Sequence, residues 1–524
     1  MRGTIRRSTS VIASRAGAGA GRRCGSRMTR VESRLRRACV LLGMAFALAA
    51  CATPRPGQDA ATHVPHAPAA IPAQVWITTS DHARALEPAP DAVATGDAPL
   101  PLHIRVDAAR RYQRMVGFGA SLTDASAWLI AHRMSPSQRS ALLRELYGRQ
   151  EGGVGFDFVR LTIGASDFSR RHYSLADTRD GAPDPALRSF SIDPNRRDVV
   201  PVLREVLAVN PGLKIMASPW SAPAWMKTSG SLVQGALKPE YHDAFARYLV
   251  RYVDAYAAEG IEVSALTLQN EPAYEPKDYP GMRLDAPARA DIIGAHLGPM
   301  LAARARKVEI FDWDHNWDMP EQPLAVLADP RAQRYVDAVA WHCYGGEVSA
   351  QSRVRDAYPG KDVYHTECSG GDWEPVRSGG MTLQARTLIV GATRHWARGV
   401  LFWNLALDER GGPHAGGCDT CRGVVTVDSR TGRVSRTDDY YALAHASRFV
   451  RRDAYRIGSS EAAQGVDNVA FLNPDGTVAL VVVNSSPASR AFSVSGAGAR
   501  FDYALPGKSL ATFVWQSGGR DAGP

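Results

Sequence analysis

From residue 115 the chain alternates between short apolar runs and amphipathic stretches at helical spacing. The apolar runs lie at 116–122, 158–163, 213–218, 266–270, 308–312, 338–342, 363–366 and 400–404. Between them, residues 241–258 carry Phe245, Tyr248, Leu249 and Tyr252 at i, i+3, i+4 and i+7, the spacing of a helix that buries one face. Further helices are expected over 124–130, 138–147, 199–208 and 288–302, the last just after Pro287, a residue favoured at helix starts. Eight strands separated by helices over about 300 residues predict an α/β chain folded as a (β/α)8 TIM barrel, placed at 112–440. No G-x-G-x-x-G follows any of these strands, which argues against a dinucleotide site.

The pattern changes on both sides of this block. Beyond residue 441 it reads as all-β: 469–472, 478–484, 491–494 and 509–515 are short strands, and Asn473-Pro474-Asp475-Gly476 marks a turn. Residues 441–524 are therefore expected to form a sandwich-like β side domain. Two strand-like runs, 75–79 and 102–106, lie in a segment 74–111 expected to contribute strands to it. Residues 52–73 are rich in Pro, Ala and His and read as a flexible tether.

Charge separates the leader from the body. The 524 residues carry a formal net charge of +9. Residues 1–50 hold eleven arginines, no lysine and one acid, Glu32, so the other 474 residues carry a net −1. A near-neutral body offers no electrostatic reason to expect nucleic acid as a partner. In the leader, Arg34, Arg36 and Arg37 precede an apolar run, 38–50, too short to span a bilayer as a mature helix. The run ends Leu48-Ala49-Ala50-Cys51, which resembles the lipobox of bacterial lipoproteins. The resemblance implies cleavage before Cys51, lipidation there, and an exported protein held at the outer membrane through that lipid alone. Met28 is the expected true start of the 1–51 leader. A monomer is expected.

Seven cysteines are present. Cys24 and Cys39 belong to the leader and Cys51 to the anchor. Cys418-Asp419-Thr420-Cys421 is a C-x-x-C with no second copy to complete a zinc site. A local disulfide closing a loop is favoured over redox chemistry or metal binding. Cys343 and Cys368 are read as free, buried and inert.

The candidate chemistry lies where the apolar runs stop. One run ends Gln269-Asn270-Glu271-Pro272 and another ends His365-Thr366-Glu367-Cys368. In a parallel barrel, catalytic groups sit at the C-terminal strand ends. Two facing glutamates there can cleave a glycosidic bond, one protonating the leaving oxygen and the other attacking or activating water. Asp124, Asn270 and His342 are candidates for sugar hydroxyls, and Trp220, Tyr344 and Trp403 for apolar walls. Each has a plainer reading. Asp124 suits a helix N-terminus, and His342 and His365 suit structural histidines. Trp225 suits packing and Glu275 a solvated loop, while Asp312 and Asp314 receive no role.

Five segments together carry a resemblance. They are Gly117-Phe118-Gly119-Ala120-Ser121-Leu122-Thr123-Asp124, the run from Ala217 to Lys227, Asn270-Glu271-Pro272, Thr366-Glu367-Cys368, and Trp403-Asn404-Leu405-Ala406-Leu407. The chain resembles glycoside hydrolase family 30, in particular its glucosylceramidase branch. That resemblance implies Glu271 as general acid/base with a raised pKa and Glu367 as nucleophile. It implies sugar contacts from Asp124, Trp220, Asn270 and Trp403, a retaining mechanism, and no metal or other cofactor. The implied partner is a β-linked glucoside or glucan. Cys343 between His342 and Tyr344, His414, and the Cys418–Cys421 loop depart from the branch and leave endo-β-1,6-glucanase open beside β-glucosidase, with β-xylosidase a weaker option. A rival of another class is a surface lipoprotein that binds glycan without cleaving it.

Overall fold

A computed structural model describes residues 72–92, 98–373, 380–461 and 463–518. The leader, Cys51 and most of the tether lie outside the described residues. Eight parallel strands close into a barrel: β1 (Gly117–Ser121), β2 (Phe158–Ile163), β3 (Lys214–Pro219), β4 (Ala265–Thr267), β5 (Glu309–Asn316), β6 (Val336–His342), β7 (Asp362–Glu367) and β8 (Ala397–Asn404). Each pairs with its sequence neighbour, and β8 pairs with β1. Every residue of β1, β2 and β4 is buried, which is why these runs read as continuously apolar.

The barrel interior is filled from below. Phe158, Met216, Phe311, Tyr364 and Leu401 form an apolar floor, with Phe311 stacked on Tyr364 at 4.4 Å. β1 and β2 approach so closely that a Cβ on Gly119 would lie 1.9 Å from the Phe158 carbonyl oxygen. Above the floor the inward side chains turn polar: Arg160, Ser218, Thr267, Asp314 and Thr366 are all buried and bonded to one another.

The helices largely follow the periodicity. The helix expected at 241–258 spans His242–Ala258 and buries Phe245, Tyr248, Leu249 and Tyr252. The single helix expected at 288–302 is instead three pieces. An α turn, Ala286–Asp291, is capped by Asp285; a π-helical stretch, Ile292–Leu297, and a short helix, Gly298–Ala302, follow. The all-β reading after 441 misses one element. A helix, Asp438–Ser447, crosses that position; its His445 bonds Thr78 and Thr512 and joins it to the β side domain.

That side domain is a nine-stranded sheet. Its strand order is Ala499–Leu505, Arg490–Gly496, His103–Arg114, Tyr455–Ser459, Val466–Leu472, Thr477–Asn484, Ser509–Gln516, Ala73–Thr79 and Ala85–Ala92. Three strands come from before the barrel. The chain thus leaves this domain, builds the barrel, and returns. Its own apolar core includes Ile104, Leu480, Phe492, Phe501, Phe513 and Trp515.

Candidate active site

Glu271 and Glu367 meet at the C-terminal mouth of the barrel. Glu367 is the last residue of β7. Glu271 lies four residues past β4, in a left-handed backbone conformation (φ 49°) that its amide stabilises by donating to the Asp314 carbonyl at 3.0 Å. Glu271, His342 and Glu367 each offer an atom within 4.8 Å of the other two. His342 is the bridge. Its Nδ1 lies 3.1 Å from Glu271 Oε1 and its Nε2 3.0 Å from Asp314 Oδ1. The Tyr344 hydroxyl donates to Glu367 Oε1 at 3.0 Å, while Tyr344 as a residue is 46% exposed.

Two residues without an expected role organise this cluster. Arg160, inward from β2 and fully buried, donates to Glu367 Oε2, to Asn270 Oδ1 at 2.7 Å and to Asp314 Oδ2 at 2.7 Å. Asp314 also accepts from Ser218 (2.8 Å), Thr267 (2.9 Å) and Thr366 (2.7 Å). Both residues were legible in principle. An arginine inside Phe158-Val159-Arg160-Leu161-Thr162-Ile163 has to be paired if that run is a buried strand.

A wall stands beside the pair. Trp220 and Trp403 stack at 4.9 Å with 20° between their planes, and the Arg160 guanidinium lies 4.8 Å from the Trp220 ring centre. Trp403 Nε1 donates to Asp167 Oδ2 at 3.4 Å, and Asp167 Oδ1 is buried with no partner. Burial, then the Glu367 charge, pushes the Asp167 carboxyl up to about 8. An unpaired buried carboxyl oxygen here is poised to bond a ligand hydroxyl. Sequence reading missed Asp167 because it sits in a loop, four residues past β2.

Other residues singled out in the sequence are held by partners of their own. Asp124 is the first residue of the helix Asp124–His132, which Thr123 caps. Its carboxylate accepts from Ser169 and Tyr173, and its charged neighbours are Asp198 and Arg170. Asp312 pairs with Arg289. His365 packs beneath on Trp317, and burial takes its pKa down to about 3. Cys418 and Cys421 are joined in a disulfide. Cys343 and Cys368 are not free: they form a second disulfide, because the ends of β6 and β7 bring their Cα atoms to 5.4 Å.

The protons are distributed differently from the expectation of a raised acid at Glu271. Burial opposes a charge on His342, but Glu367 and the bonds to Asp314 and Glu271 outweigh it and raise its pKa to about 9. Burial also opposes ionisation of Glu271, yet the His342 bond and the His315, His342 and Arg160 charges hold it below the ordinary glutamate value. Glu367 is raised by burial, with Glu271 and Asp314 adding to it against His342 and Arg160. His342 is thus the group of the cluster whose protonated form its neighbours favour, and it lies one hydrogen bond from Glu271. Glu271, His342 and Glu367 are spaced to hold a divalent cation, but each already has a protein partner: His342 bonds Glu271 and Asp314, and Arg160 pairs with Glu367.

Known proteins share this architecture. Residues 115–450 match the model of the glycosyl hydrolase family 30 TIM-barrel domain, and residues 453–513 that of the family 30 beta sandwich domain. The chain is 34% identical to an endo-1,6-beta-D-glucanase of Aspergillus fumigatus over 77% of this chain and 86% of the relative. It is 28% identical to the lysosomal acid glucosylceramidase of Mus musculus over 78% and 82%. A solved endo-beta1,6-glucanase, BT3312, superposes with a TM-score of 0.78 at 32% identity, covering 85% of this chain and 99% of that one. The barrel, its β companion and the facing carboxyls are those of a glycoside hydrolase, and the chain belongs to glycosyl hydrolase family 30.

Proposed function

We propose that the protein is a retaining endo-β-1,6-glucanase working by double displacement. The observation that carries the mechanism is the spacing of its two carboxyl groups. Oxygens of Glu271 and Glu367 lie within 4.8 Å. Retaining pairs stand about 5–5.5 Å apart, whereas inverting pairs need roughly 6.5–9.5 Å to admit a water. Glu367, aligned by Arg160 and Tyr344, attacks the anomeric carbon. Glu271 protonates the departing oxygen with the proton that His342 supplies through Nδ1. The bond to sugar removes the charge of Glu367, and Glu271 then takes a proton from the water that releases the glycosyl group. Asp167 and Asn270 bond ring hydroxyls, and Trp220 and Trp403 form the wall.

The substrate class rests on similarity. The relative named as an endo-1,6-glucanase is 34% identical and the glucosylceramidase 28%, so a β-1,6-glucan is preferred over the ceramide glucoside first expected. We further propose export and outer-membrane anchoring through Cys51, which two disulfides in the body support, since disulfides persist in oxidising compartments.

Three outcomes are expected. On β-1,6-glucan the enzyme produces a ladder of oligomers, and Glu367→Gln produces none; glucose alone from chain ends, or cleavage only of glucosylceramide, overturns the endo assignment. The alkaline limb of the kcat/KM profile lies above the ordinary carboxylate range, because the proton is held on His342. Removing a negative neighbour lowers a histidine pKa, so Asp314→Asn moves that limb to lower pH; an unmoved limb contradicts the proton's placement. The mature N-terminus, read by mass spectrometry, is an acylated Cys51; an unmodified cysteine or another N-terminus removes the anchor.

A further inference from the structure

We propose that the Cys343–Cys368 disulfide is a positioning element for catalysis: it holds the Tyr344 hydroxyl on Glu367. The bond joins the first residues beyond two neighbouring strand ends. His342 closes β6 and Glu367 closes β7, and the two are partners in the last register of that ladder. Past this point no strand pairing holds the chains together, and the next residue on each side is a cysteine of the bridge.

What flanks the bridge gives it a task. On one side, His342 and Tyr344 touch Glu271 and Glu367 through side-chain bonds of 3.1 and 3.0 Å. On the other, Glu367 precedes Cys368, whose carbonyl accepts the Trp403 amide at 2.8 Å. The bridge therefore sits among the acid's proton source, the nucleophile, its hydroxyl partner and the tryptophan wall.

Tyr344 is the member most in need of it. The residue is almost half exposed, although its hydroxyl reaches inward to Glu367. Its other anchors are the hydrogen bond its backbone N–H donates to Asn316 Oδ1 at 3.0 Å and an edge contact with His342. Gly345 and Gly346 follow, and Gly346 has φ +84°. On one side of the tyrosine the Gly345 carbonyl accepts the Trp317 amide at 2.9 Å, and on the other the covalent tie to the residue after the nucleophile holds the chain. Cys368 is 4% exposed and part of the main core, so that tie has a rigid base. A displacement of about 1 Å at such a position costs up to a hundredfold in rate.

The inference rests on Glu367 being the nucleophile. The test is a cycle of four proteins: wild type, Tyr344→Phe, C343S/C368S, and the triple variant, assayed on β-1,6-glucan. The expected result is a kcat lowered about tenfold or more in C343S/C368S with a smaller change in KM. Tyr344→Phe then has much less effect in that background than in wild type, since residues acting through one contact do not add. Losses that multiply independently, or a C343S/C368S enzyme with full kcat and only a lower Tm, overturn the proposal. A folded wild-type arm covers the case in which the double variant does not fold. A phosphine reductant gives two electrons to a disulfide and becomes the phosphine oxide, with water supplying the oxide oxygen and the two thiol protons. Thiols mapped by alkylation and mass spectrometry show which bridge has opened. Loss of kcat that tracks the 343–368 thiols, and recovery on reoxidation, is expected; full activity with that bridge open contradicts it. Labelling by a 2-deoxy-2-fluoroglucoside separates the two readings: a label away from Glu367 sinks the nucleophile assignment, whereas a label on Glu367 with additive losses sinks the disulfide proposal alone.

Discussion

The buried ion pair of Arg160 and Asp314 fixes everything around it. Both side chains are fully buried inside the barrel, where isolated charges are costly. They persist there because their hydrogen-bonding capacity is used. Asp314 accepts from Arg160, Ser218, Thr267, His342 and Thr366, and Arg160 reaches Asp314, Glu367, Asn270 and Ser218. Breaking one member of such a pair costs about 3–5 kcal/mol, whereas replacing both by apolar groups is often neutral. Its retention is therefore better explained by what it holds than by stability. It holds the Glu367 carboxyl directly and that of Glu271 through His342.

The same region stores backbone strain. Glu271, Trp313 and Asp314 all have positive φ, a conformation uncommon outside glycine. The β5 ladder shifts register between Trp313 and His315 against β6. The irregular backbone turns Asp314 inward and lets its carbonyl take the Glu271 amide. Strain of this kind survives only where its surroundings over-determine it, and the polar layer above the apolar floor supplies that.

Much of this was readable beforehand. The barrel strands announce themselves because burial on both faces demands unbroken apolar runs, and 158–163 matches β2 residue for residue. Glu271 and Glu367 stand out as acids where such runs end. Arg160 and Asp314 were harder, since their meaning lies in each other, 154 positions apart. Asp167 sits in a loop with no periodic signal. The Cys343–Cys368 bridge depends on strand register, which composition does not encode. The helix at 438–447 is buried along most of its length and so lacks the amphipathic pattern that would reveal it. The raised pKa of His342 follows from three carboxylates converging on one ring, which only the assembled barrel brings together.

The facing carboxyls, the polar hub beneath them and the aromatic wall suit the double displacement proposed above, attack by Glu367 on the anomeric carbon with inversion followed by a second inversion. The anomeric form of the first product tests this most directly, followed by proton NMR while a β-1,6-linked glucan oligosaccharide is hydrolysed. A β-anomer that appears first and then mutarotates is the predicted result. An α-anomer appearing first contradicts a covalent intermediate on Glu367.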